Sequence, residues 1–201
     1  MKTLRTAALT LAMALLASPA AWAEVATFQI DPDHSTVGFK VRHMMSFTTG
    51  QFRNFQGGIL MDAATGKVSG AKVVIDAASV DTNHEKRDKH LRDTDFFNVE
   101  KFPTLTFTAK DFKQSGNNLA VAGELTMLGE TRPVTLQGRY LGSGIDPWGN
   151  GRVGFTLISR VDRKDFGMVF NKVLDNGGLL IGEVVDIQLD IEAIKVPAEP
   201  K

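Results

Sequence analysis

"LAVAGELTMLGETRPVTLQGRY", residues 119–140, is the stretch whose reading decides the fold. Leu119, Val121, Gly123, Leu125 and Met127 fall on one face of an extended chain. After a break, Val134, Leu136, Gly138 and Tyr140 do the same, with Thr135, Gln137 and Arg139 opposite. A period of two is the mark of a strand with one side to a core and the other to water. Leu128-Gly129-Glu130 between the runs is a turn signal. Two amphipathic strands joined by so short a turn form an antiparallel hairpin.

The same period spreads outward in both directions. Val37, Phe39 and Val41 share a face, as do Phe55, Gly57, Ile59 and Met61, then Ala71, Val73 and Ile75. Leu105, Phe107 and Ala109 follow, and beyond the hairpin come Val153, Phe155, Leu157, Ser159 and Val161. The last set is Ile181, Val185, Ile187, Leu189 and Ile191, interrupted by Glu183. With the hairpin these make eight strands, separated by further turn signals such as Thr65-Gly66-Lys67 and Asn176-Gly177-Gly178. The pattern predicts an all-β, antiparallel meander. Eight such strands can form a sandwich or close into a barrel, and a barrel leaves no edge strands. At eight strands such a barrel is just wide enough to be filled by side chains or to hold one slender ligand. Gly57, Gly123 and Gly138 sit on inward faces, where they bend a strand or leave room; spacing alone does not separate these.

The chain has 201 residues. Its start, "MKTLRTAALTLAMALLASPAAWA", carries Lys2 and Arg5, an apolar run from Ala7 to Ala17, and Ala21-Trp22-Ala23. That is the plan of a cleavable secretory signal over 1–23, too short to span a bilayer comfortably. The expected mature chain, 24–201, is one domain. Cleavage removes Lys2 and Arg5 and no acid, so the net charge goes from zero to −2. No basic face points to nucleic acid. The absence of cysteine excludes a disulfide framework, thiol catalysis, iron–sulfur clusters and zinc–thiolate sites. No later stretch is long and apolar enough to cross a membrane, so the expected mature protein is soluble, and periplasmic if the source is a Gram-negative bacterium.

One segment breaks the alternation. "VDTNHEKRDKHLRDTDFFN", 80–98, is dense in charge, with apolar residues only near its end: Leu91, Phe96 and Phe97. Thr82-Asn83-His84-Glu85 fits a capping box with Thr82 as N-cap. Glu85 and Lys89 are spaced to pair along a helix. A short polar helix is predicted, in the crossover from the fourth strand to the fifth. His84 and His90 with Asp88, Asp93 and Asp95 resemble a metal or acid–base cluster, but histidines six apart point to different sides of a helix. No metal or catalytic residue is assigned. "DFG" at 165–167 lacks the rest of a kinase signature, and Trp148 in "DPWGN" reads as an anchor packed at a loop.

"SVDTNHEKRDKHLRDTDFFN" resembles the signature of the YceI-like family of exported lipid- and polyisoprenoid-binding proteins. "FQIDPDHSTVGFKVRHM", "FPTLTFTAKDF", "GELTMLGETRPVTL" and "DNGGLLIGEVVDIQLDIEAI" extend the likeness over the mature chain, 24–201. The resemblance implies a lipocalin-like barrel with a long apolar interior and a polyisoprenoid, fatty acid or fatty amide inside. It also implies frequent homodimers, no cofactor and no catalytic residue. The expected function is a periplasmic carrier of a long-chain isoprenoid or acyl lipid, not an enzyme.

Twelve side chains are the expected lining: Val37, Phe39, Val41, Leu105, Phe107, Val121, Leu125, Leu136, Val153, Phe155, Leu157 and Ile187. Alternation does not distinguish a hollow barrel from a filled one; the resemblance favours the hollow. Met44, Met45, Phe47 and Phe52, in a break between strands, line a mouth or plug a gap. Glu183 and Ser159 are polar on inward faces. A buried carboxylate needs a partner, for which Arg160 and His43 are candidates, or it meets a ligand head group. Two other classes stay open: an enzyme using Glu183, Asp88, His90 and Asp93 at the mouth, and an interaction module with a solid core.

Overall fold

The computed structural model describes residues 25–197 apart from 63 and 176; the expected signal sequence, 1–23, lies outside the described residues. Eleven strands run as β1 (Val25–Ile30), β2 (Thr36–His43), β3 (Ser46–Phe52), β4 (Phe55–Asp62), β5 (Lys67–Asp76), β6 (Val80–Asp81), β7 (Thr104–Ser115), β8 (Asn118–Met127), β9 (Glu130–Ile145), β10 (Gly151–Asp162) and β11 (Ile181–Lys195). Eight of them, β1-β4-β5-β7-β8-β9-β10-β11, pair antiparallel in a ring that β1 and β11 close. The expected eight-stranded barrel is the observed one.

The count exceeds eight because the first three staves are each broken once. β1 and β2 lie end to end along β11, with Ile30 opposite Ala193 and Thr36 opposite Asp190. Pro32, which has no amide hydrogen to give a ladder, sits in the break. β3 and β4 divide at Arg53–Asn54, and β5 and β6 at Ala77–Ser79. Cross-links hold the breaks in line: Arg53 N donates to Ser79 O at 3.1 Å and Asp76 N to Asn54 O at 2.9 Å. The "break" read around Met44–Phe52 is therefore a strand. β3 pairs with β2 from Val37–Phe52 to His43–Ser46 around a two-residue turn.

The hairpin of 119–140 forms as its pattern requires. Met127 pairs with Glu130, and Leu128 and Gly129 both take positive φ, 55° and 81°. Two such residues give the turn whose twist matches paired strands. Leu119, Val121, Leu125, Met127, Val134 and Leu136 are buried.

Helix α1 (Glu85–Arg92) lies between β6 and β7, that is, between the third and fourth staves and one stave earlier than expected. Its N-cap is His84, whose Nδ1 accepts from Arg87 N at 3.2 Å, and not Thr82. Thr82 is buried and serves another purpose: its N–H and hydroxyl both donate to Asp88, the one buried residue of the helix. Glu85 and Lys89 form no ion pair among the described residues. The charges instead reach backbone carbonyls: Arg87 Nη2 to Thr82 O at 2.8 Å, and Arg92 Nε to Ala78 O at 2.8 Å. That is why a helix with almost no apolar face stays on the barrel. Phe96 and Phe97 then enter the core, Phe97 edge-on to Phe52 at 5.4 Å.

Candidate lipid cavity

The barrel is solid at one end and hollow at the other. Met61, Ala193, Val153 and Phe28 are packed where β1, β4, β10 and β11 meet, and none borders open space. Toward α1 the interior opens into a cavity of about 490 Å³, within the roughly 300–1,000 Å³ usual for ligand pockets.

Eleven of the twelve expected residues line it: Val37, Phe39, Val41, Leu105, Phe107, Val121, Leu125, Leu136, Phe155, Leu157 and Ile187. Val153 does not. It is fully buried opposite Ala193 and Ser143 in the closed end. Alternation gives the face of a strand but not the depth along the barrel, so the two roles are indistinguishable in sequence.

More residues of the expected inward faces line it too, among them Ile59, Val73, Leu119, Val134 and Leu189, while others were not anticipated. Phe112 has the wrong parity for β7; a bulge at Ala109–Asp111 switches the phase and turns its ring inward. Phe96, Phe97, Met168 and Phe170 come from outside the strands, where period two says nothing. Arg163 stands in a 3₁₀ turn, Arg163–Phe166, that begins just before the uninformative "DFG".

Glu183, expected inward, is a correction. Between Ile181–His43 and Val185–Val41 the register slips, so 182–184 bulge out of the ladder with β2. Glu183 accepts from Lys164 Nζ at 2.9 Å and does not border the cavity. Neither expected partner meets it: Arg160 pairs with Asp186 outside the barrel at 2.6 Å, and His43 borders the cavity. Ser159 is half-buried, does not border the cavity and donates to Thr135 O at 2.8 Å. Gly57, Gly123 and Gly138 do not enlarge the hollow. They admit close neighbours, the Phe107 ring and Thr108 O against Gly123 and the backbone of Thr156 against Gly138. Trp148 is 80% exposed and anchors nothing, while Met44, Met45 and Phe47 are also exposed and stand off the cavity.

The hollow end has a roof and a rim. His90 stacks edge-on to Phe96 and Phe170 at 5.0 and 5.1 Å, and Phe96 lies 5.2 Å from Phe170. His43, Arg87, His90 and Lys172 are exposed yet border the cavity, which defines its mouth. Arg163 borders it from below and is buried. Among the described residues no carboxylate does so. Of the acids and bases once grouped as catalytic candidates, only His90 reaches the cavity, and its Nε2 is bonded to Asp95 Oδ2 at 2.8 Å. Asp88 is occupied by Thr82 and Glu183 by Lys164.

At the closed end Arg152 gathers three carboxylates: Asp31 at 2.8 Å, Asp146 at 2.7 Å and Glu192 at 2.5 Å. The Arg152 hydrogen bond holds the Asp146 carboxyl far below the usual carboxylate range. Burial alone would raise Asp31, but the bonds from Arg152 and His34 outweigh it and keep it low. Asp31, His34 and Glu192 have the mutual spacing of a metal site, but Arg152 Nη1 already bonds two of the three, Asp31 and Glu192.

Comparison with known proteins agrees with this architecture. A model of the YceI-like domain matches residues 28–193. Protein YceI of Escherichia coli O17:K52:H18 is 40% identical over 161 residues, covering 79% of this chain and 84% of that one. BcnA of Burkholderia cenocepacia superposes with a TM-score of 0.71 at 23% identity, over 82% of this chain and 99% of BcnA. A polyisoprenoid binding domain from Saccharophagus degradans superposes with a TM-score of 0.62 at 17% identity, over 86% and 100%. The last two likenesses are of fold alone.

Proposed function

The chain belongs to the YceI-like family, and from that premise we propose that it is a periplasmic binding protein whose barrel encloses the hydrocarbon chain of a long lipid, either isoprenoid or acyl. The observation that carries this reading is the hollow itself. A barrel of this size can be filled by its own side chains, and this one is filled at one end only. A neighbour in fold is described as polyisoprenoid binding, which supports the same class of ligand.

The energetics suit it. Each methylene taken from water contributes about 0.8 kcal/mol. Ten of them give roughly 8 kcal/mol before the costs of association, and micromolar affinity needs about that much net. A wall of aliphatic and phenyl groups selects by length and girth and discriminates little between tails of similar shape. The charged start and small-x-small end of residues 1–23 support export. Pairing of two copies, implied by the family resemblance, belongs to the same proposal and is read by sedimentation of the mature protein.

Purified mature protein extracted with organic solvent should yield a long-chain lipid by mass spectrometry. Emptied protein should bind an apolar dye that added lipid displaces. Ile187→Trp, which puts bulk into the hollow, should stay folded and lose dye binding roughly tenfold or more. Protein with no extractable lipid and no dye binding would instead be an interaction module with an unused hollow. Turnover of the added lipid would return the enzyme.

A further inference from the structure

Arg163 is out of place in an oily wall. It follows β10 in the 3₁₀ turn, is only 2% exposed, and borders the cavity. Two of its nitrogens are used: Nε donates to Gly182 O at 2.9 Å and Nη1 to Met168 O at 2.6 Å. Its Nη2 is buried and has no acceptor among the described residues. A guanidinium is always charged and offers five N–H donors in a fixed fork. Leaving part of that fork buried without an acceptor is costly, so most buried groups of this kind are matched.

The matching acid is missing although acids are near. Asp162 precedes Arg163, and Glu183 lies close enough for its field to act on it. Yet Glu183 bonds Lys164, and Arg163 is in no ion pair among the described residues. Burial accordingly pushes the guanidinium's pKa down, against the pull of Glu183 and Asp162.

The rest of the wall repeats the sign. Every ionisable group bordering the cavity among the described residues is basic: His43, Arg87, His90, Arg163 and Lys172. Of these only His90 has a carboxylate partner, Asp95. Arg163 belongs to this same end, since Gly182 and Met168, which it holds, flank Ile181 and Phe170 of the mouth region.

We infer that the lipid this cavity takes is acidic-headed: a long apolar chain ending in an oxyanion, carboxylate or phosphate, whose oxygen accepts from Arg163 Nη2 while the tail lies among the phenyl and aliphatic groups. The inference rests on the proposed lipid-binding reading and adds the chemistry of the head. A charge-assisted bond in a dry site is stronger than a neutral one. The basic rim draws the anion in, and Arg163 fixes its depth.

The test compares chains that differ only at the head. Hexadecanoate, hexadecyl phosphate and hexadecanol are titrated into delipidated mature protein by dye displacement, with geranylgeranyl phosphate and geranylgeraniol as a second pair. Each oxyanion should bind roughly 10- to 100-fold more tightly than the alcohol of the same chain. Arg163→Met should shrink that gap by most of its size and leave the alcohols unchanged; Arg163→Lys should keep part of it. Tighter binding of carboxylate than phosphate points to acyl ligands, and the reverse to prenyl phosphates. Arg163 also braces two loops, so Arg163→Met is scored only if its melting curve is cooperative; otherwise the wild-type pairs and Arg163→Lys decide. Equal binding of alcohol and acid, or a gap unchanged in a folded Arg163→Met, overturns the inference and leaves lipid binding standing. Failure of every lipid overturns both.

Discussion

Gly138 shows how a single missing methyl shapes the barrel. It lies between Leu119 of β8 and Leu157 of β10, and a Cβ there would collide with the backbone carbonyl of Thr156. The obstacle is main chain held in a ladder, so it cannot swing aside like a side-chain tip. Gly138→Ala is expected to lower stability by about 3 kcal/mol, at the upper end of ordinary overpacking costs, measured as a drop in the urea midpoint at constant slope. Gly123 is a milder case, because part of what its Cβ would meet is the Phe107 ring, which borders the cavity and has room to turn. Arg163 is the opposite kind of residue. It tightens nothing apolar, and its value lies in what it leaves unpaired.

At the scale of elements, the charged segment 80–98 acts as a clasp. α1 has one buried residue, Asp88, and that carboxylate receives both donors of Thr82, with Thr82 N at 2.9 Å. Thr82 in turn borders the cavity. Asp88→Ala would leave the buried N–H and hydroxyl of Thr82 without their acceptor, at a cost of about 1–3 kcal/mol. Hydrogen exchange should find the loss local, with faster exchange in 82–97 and little change in β8 and β9. Uniform destabilisation of the whole barrel would show that the clasp is not a separate unit. The bulges belong to the same scale. One in β7 brings Phe112 inside and one in β11 sends Glu183 out. Strand parity was legible in the sequence and its interruptions were not, because a bulge is fixed by the partner strand's register.

The whole molecule closes through β11. Its C-terminal part pairs with β1 and its N-terminal part with β2, so one long strand spans both the packed end and the hollow end. Arg152 sits where closure happens and ties Asp31 after β1, Asp146 before β10 and Glu192 of β11. Asp31 and Asp146 are both held below the ordinary 3.8 in the folded protein. A depressed carboxyl stabilises the fold at pH values above its unfolded pKa, and that stability is lost as pH falls through the folded value. Arg152→Gln removes the main cause of the depression. The variant should therefore melt lower than wild type at pH 7, and the difference in Tm should narrow steadily on acidification from about pH 5 toward pH 2. A difference that stays constant or widens in acid would show that Arg152 acts by packing alone.

Alternating side chains and turn residues determined by themselves eight antiparallel staves; closure into a barrel and not a sandwich was implied by the family resemblance and is seen in the β1–β11 pairing. Alternation and turns are local, and period two reports which face of each strand meets a core. Many other strand residues line the cavity, and Phe112 went unread because of its bulge, but strand parity also put eleven of the twelve expected residues on the wall. Val153 was the exception, since depth along the barrel is not written in the period of any one strand. What only the tertiary structure decided is that the core is divided. Met61, Val153 and Ala193 plug one end, while at the other Phe96, Phe97, Met168 and Phe170 roof a hollow instead of filling it. Volume is set by how residues far apart in the chain meet, and so is the isolation of Arg163 among them, because an unpaired charge is defined by every neighbour that fails to reach it.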